Sequence, residues 1–129
     1  MKASPVKKVV WFARSSLLVI PGLTTDDAAY RREMKRLEIE HDSYLLHGSG
    51  ATTHLFKDGR GGDFALVCIN PQGRTIAEVA ALVAHECAHI WQYSKKLMRE
   101  TSPGEEVEAY AIQWLVLQIM CELYPRGKR

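Results

Sequence analysis

With 129 residues, 47% of them apolar, and a net charge near +2, the chain is long enough for one buried core and too short for a second lobe. It is read as a single domain over residues 1–129 with an open, shallow site. The charge is not concentrated in a basic stripe, which argues against a nucleic-acid partner, and no membrane or export segment is convincing.

The chain opens with Lys2, Lys7 and Lys8 ahead of VVWFARSSLLVI. Arg14 and two serines interrupt that apolar run and no small-residue cleavage site follows, so it is read as a helix rather than a leader. Pro21-Gly22 is expected to end this first element. Thr24 or Thr25 then caps a helix from about Asp26 to Leu37, with acids early and bases late as the helix dipole prefers. Tyr30, Met34 and Leu37 form its core stripe. After a polar stretch holding His41 and His47, Thr52–Phe56 and Phe64–Ile69 flank Asp58-Gly59-Arg60-Gly61-Gly62-Asp63, which reads as a β-hairpin. That glycine-rich loop lacks a Lys-Ser/Thr ending and precedes no helix, so it is a turn rather than a phosphate loop.

Turn chemistry at Asn70-Pro71-Gln72-Gly73 precedes a long helix, Thr75 to Lys96, with Thr75 and Glu78 spaced as a capping box. Apolar residues cover so much of it that burial on most sides is expected. A break at Thr101-Ser102-Pro103-Gly104 leads to a last helix from Glu105 to about Tyr124. The three cysteines, 68, 87 and 121, have no disulfide framework spacing. Cys68 and Cys121 read as buried thiols of a reducing, cytoplasmic compartment.

The long helix carries His85-Glu86-Cys87-Ala88-His89, an H-E-x-x-H pentad. Histidines at i and i+4 share a helix face, so both rings can reach one ion. Glu86 lies roughly 100° around the helix from His85, where a carboxylate can take a proton from water without being a ligand. Cys87 points away from both rings and is not counted as a ligand. A third ligand is expected in the last helix. Acids in a first turn suit the helix dipole on their own account, but Glu108 aligns with Ile112, Leu115, Ile119 and Leu123 on the core-facing side, and Glu105 joins that side one turn earlier. Glu108 is the expected third metal ligand and Glu105 the alternative.

His54, on the first hairpin strand, is a candidate donor to a developing oxyanion, against the plainer reading of a hydrogen-bonded histidine. Tyr110 is a second donor candidate, against plain packing. An edge strand of the hairpin beside the metal helix could receive an extended peptide.

HECAH with a glutamate 19 residues past the second histidine resembles the gluzincin arrangement of zinc metallopeptidases. VAALVAHECAHIWQ followed by GEEVEAYAIQ, with GSGATTH upstream, is similar to small phage- and prophage-encoded metallopeptidases of unassigned substrate. The resemblance spans about Trp11 to Tyr124. It implies a minimal zincin-like α+β domain, with helices on a small antiparallel hairpin or sheet and HExxH on a buried central helix. It further implies Zn²⁺ on His85, His89 and a downstream Glu, Glu86 as catalytic base, and a peptide or protein substrate. Many gluzincins place Asp four residues after the ligand Glu to orient a histidine. Here that position is Ile112 after Glu108 and Ala109 after Glu105, so the orienting group must lie elsewhere. The alternative is a zinc-binding regulatory or interaction module without catalysis, and a third reading is a metal-free hydrogen-bonded network.

Overall fold

In the computed structural model, which describes residues 1–13, 17–98 and 104–126, four strands form one mixed sheet with helices on both faces. The elements in chain order are β1 (Val10–Trp11), β2 (Ile20–Thr24), α1 (Asp27–Arg36), a single 3-10 turn (Leu46–Gly48), β3 (Ala51–Lys57), β4 (Asp63–Ile69), α2 (Ile76–Met98) and α3 (Glu105–Leu123). The strand order is β1-β2-β4-β3, with β1–β2 and β3–β4 antiparallel and β2–β4 parallel. The chain is thus α+β, but its sheet is mixed rather than antiparallel.

Alternation along β4 divides the interior into two layers. Leu66 and Cys68 pack with Tyr30 and Met34 of α1 on one face. Ala65, Val67 and Ile69 face the other way, onto Val79, Val83, Cys87 and Ile90 of α2 and onto Leu115 and Ile119 of α3. Truncating Leu66, Ile69, Ile90, Leu115 or Ile119, all fully buried, to Ala would cost about 2–5 kcal/mol.

The elements past residue 24 follow their sequence signals closely. Thr75 and Glu78 form the capping box in full: Thr75 N–H donates to Glu78 Oε1 (2.9 Å) and Glu78 N–H to Thr75 Oγ1 (3.1 Å). The hairpin closes as expected, and Asp58 Oδ1 accepts from the amides of Arg60 and Gly62 to fold its turn. The α1 cap is Asp26, which accepts from Ala29 N–H (2.9 Å). Thr24 and Thr25 are instead engaged with the chain at Val6.

The first third differs. VVWFARSSLLVI is not a helix: it contributes β1 and the first residue of β2, with Arg14 to Ser16 outside the described residues. Pro21-Gly22 lies inside β2 rather than ending an element. The physical reason is Trp11, whose ring sits against Gly22. A Cβ on Gly22 would come within 2.4 Å of Trp11 Cε3. The same ring donates from Nε1 to Glu33 Oε2 (2.6 Å) and packs edge-on against Phe56 and Phe64. Gly22 therefore serves close approach rather than a turn.

Helix α2 is also less enclosed than its composition suggests. The sheet and α3 cover only part of it, burying Val79, Val83, Glu86, Cys87, Ile90, Trp91 and Ser94, while His85 and His89 are exposed. The break at Thr101 to Pro103 lies outside the described residues. Cys68 and Cys87 are buried, but Cys121 is exposed, because it lies on the side of α3 away from Leu115, Ile119 and Leu123. Among the described residues no helix is long and apolar enough to cross a membrane.

Candidate metal centre

One turn of α2 separates His85 from His89, and their rings meet edge to face with centroids 4.8 Å apart. The two Nε2 atoms face each other at 3.1 Å. Two nitrogens bound at ~2.0–2.1 Å to one tetrahedral ion stand about 3.3 Å apart, so this pair fits a shared zinc with little adjustment. Without an ion, the same approach needs one Nε2–H donating to the other Nε2. His89 Nδ1 lies 3.3 Å from Gln92 Oε1. Donation of Nδ1–H to that amide oxygen leaves Nε2 with its lone pair outward, the form that binds a metal. Gln92 is thus placed to orient the His89 ring. Its position three residues along the same helix face makes it findable from spacing alone.

Glu86, on the same turn of α2, is only 5% exposed. Its Oε1 accepts a hydrogen bond from Thr53 Oγ1 (2.9 Å) on β3. No cation pairs with it and no donor reaches Oε2 among the described residues. Because no side-chain oxygen there is sealed off without a partner, Oε2 keeps a path to water. A buried carboxylate with one neutral donor and no counter-charge is a stability cost to the fold. No local sequence signal marks Thr53; strand alternation sends it and its neighbour His54 to opposite faces of the sheet.

His54 is correspondingly on the far side of the sheet. Its ring lies 4.6 Å from that of Tyr30, Nε2 donates to the Tyr44 carbonyl (3.0 Å), and Nδ1 stands 3.3 Å from Tyr30 Oη. Burial lowers its pKa, partly offset by the bond to Tyr44. The structure does not bring it to the His85–Glu86–His89 cluster, so the oxyanion-donor expectation gives way to a hydrogen-bonded histidine. Tyr110 is exposed on α3.

The first turn of α3 behaves as periodicity predicted in one respect. Glu105 and Glu106 are exposed, while Glu108 is half-buried on the side of Ala111 and Leu115. The three do not join the histidines. Helix α3 packs on α2 through Ala111, Leu115 and Ile119. Among the described residues no third His, Cys, Asp or Glu stands with His85 and His89 as a ready ligand set.

Strand β3 is the outer strand of the sheet on this side, and α2 packs across it. The register pairs Gly50 with Asn70 and Asp58 with Gly62, both through backbone bonds to β4's side. Alternation then turns the N–H and C=O groups of Ala51, Thr53, Leu55 and Lys57 outward. Ser49 Oγ donates to Ala51 O (3.0 Å); Thr53 and Leu55 keep free backbone groups among the described residues, and Leu55 exposes its side chain. Comparisons with protein-family models, curated proteins and solved structures returned no match.

Proposed function

We propose that this chain is a zinc-dependent hydrolase of zincin-like design, a metallopeptidase that cleaves a peptide bond with water activated by Glu86. The observation that carries this reading is the approach of two imidazole Nε2 atoms to 3.1 Å on the helix that also buries Glu86, a carboxylate with no cation paired to it among the described residues. His85 and His89 would hold the ion. Glu108, the half-buried acid of the first turn of α3, is proposed as the third ligand, with Glu105 as the alternative, although the described arrangement holds neither beside the histidines. When bound, zinc supplies a Lewis acid that acidifies water and polarises the scissile carbonyl.

The chain's own residues supply the rest. Thr53 Oγ1 fixes one oxygen of Glu86 and leaves Oε2 to take the proton of the attacking water, then to deliver it to the leaving amine. Gln92 holds the tautomer of His89. The free backbone groups of Thr53 and Leu55 can pair with an extended peptide laid along β3, which places its carbonyls beside Glu86.

One observation favours a second reading, a zinc-binding module without catalysis: no acidic third ligand stands with the histidines among the described residues. A peptide-library cleavage assay on zinc-loaded protein separates the two. We expect cleavage that is abolished by Glu86→Gln while that variant keeps its zinc. A Glu86→Gln variant that cleaves at the parent rate refutes the assigned base, and zinc binding with no cleavage by the parent favours the module.

A further inference from the structure

The two parallel strands, β2 and β4, lie side by side, and their carboxyl ends open on the same edge of the sheet. From β2 the chain turns into α1 on one face; from β4 it turns into α2 on the other. Connections that leave in opposite directions cannot fill the space between them, and a crevice remains outside the strand ends. A cavity of about 710 Å³ occupies that place, within the ~300–1,000 Å³ range of small-molecule sites. Thr25 and Asp26 line it after β2, Asn70 and Arg74 after β4, and Lys2 and Lys7 on the N-terminal segment that crosses it.

The charge of this crevice is one-sided. Lys2, Lys7 and Arg74 make no ion pair among the described residues. The one carboxylate, Asp26, is engaged in capping α1, and its charge leaves a formal excess of two cations on the lining. Arg74 is held in place: Nε donates to Asn70 O (3.0 Å), and Nη2 would be 2.6 Å from a Cβ on Gly50. Its guanidinium is fixed while N–H donors remain unused, which suits a planar, multi-oxygen anion. The lining ends at Arg74 and includes no residue of α2, so recognition falls to side chains rather than to a helix end.

We propose that this crevice binds a phosphate-bearing small molecule of about mononucleotide size, with its phosphate on Lys2, Lys7 and Arg74. A phosphate monoester carries about −1.5 to −2 at neutral pH, which matches the excess charge of the lining. Neither His85 nor His89 lines the cavity, so the inference stands apart from the zinc reading.

The test is an amide-resolved NMR titration of the full chain with AMP, with adenosine and inorganic phosphate as further probes. Saturable shifts at Thr25, Asn70 and Arg74 are expected with AMP, competition with phosphate, and no binding of adenosine. Lys2 and Lys7 are exposed, so a Lys2→Gln/Lys7→Gln variant keeps the fold and should weaken AMP about tenfold or more, the loss expected for two charge-assisted contacts. Absence of saturable shifts at those residues overturns the proposal. So does adenosine binding as tightly as AMP, or unchanged AMP affinity in the double variant.

Discussion

Thr53→Val removes one hydroxyl and keeps a β-branched side chain suited to β3. That hydroxyl is the only donor to Glu86 among the described residues, at 2.9 Å, and Glu86 is 5% exposed. Hydrogen bonds to charged groups contribute about 1.5–3 kcal/mol, so the variant should lose about 2 kcal/mol of stability. For a chain of this length that is about 7 °C in Tm, from an unfolding entropy near 2.1 cal/mol/K per residue. The cost should depend on the carboxylate. In a Glu86→Gln background the same substitution breaks a neutral bond of about 1 kcal/mol, leaving a coupling of about 1 kcal/mol between the two positions. Urea unfolding of all four proteins measures this cycle. A Thr53→Val effect within about 0.5 kcal/mol of zero, or one of equal size in both backgrounds, would refute the claim that Thr53 holds a charged, buried Glu86.

Gly22→Ala should destabilise by about 1–3 kcal/mol through overpacking against Trp11, since the new Cβ would meet Cε3 at 2.4 Å; a variant melting with the parent contradicts the account of β2. Under native conditions a small alkylating reagent should modify Cys121 alone of the three thiols, with Cys68 and Cys87 released only on unfolding; mass spectrometry reads the sites, and native labelling of Cys87 contradicts its burial. Burial pushes the Cys87 thiol up to about 12 from the ordinary 9.0. The unfolded chain loses that proton first, so stability should fall as pH rises from 9 toward 12. A denaturant midpoint that holds level across that window would count against it.

What the sequence reveals here is set by range. The capping box at Thr75 and Glu78, the DGRGGD turn and the apolar periods of α1 and α3 are local signals, and the structure realises each of them. The mixed sheet depends on β2 pairing with β4 some 44 residues on, Ile20 with Phe64, and no short-range pattern encodes such a partner. Pro21-Gly22 misleads for the same reason: its meaning lies in Trp11, on another strand. At the candidate site, one helix positions His85, Glu86, His89 and Gln92, so helical spacing suffices to find them. Thr53 needs the register of β3 against α2, and the third ligand needs the disposition of α3, which periodicity alone does not supply.

Zinc stoichiometry, measured by elemental analysis on untagged protein after dialysis against metal-free buffer, tests the central claim most directly. About one zinc per chain, lost in His85→Ala and His89→Ala, is the expected result for a site built on one divalent ion. Loss of zinc in Glu108→Ala would identify the third ligand. No zinc, and no uptake on titration, would contradict the metal centre and reduce the pair at 3.1 Å to a hydrogen bond between two surface imidazoles.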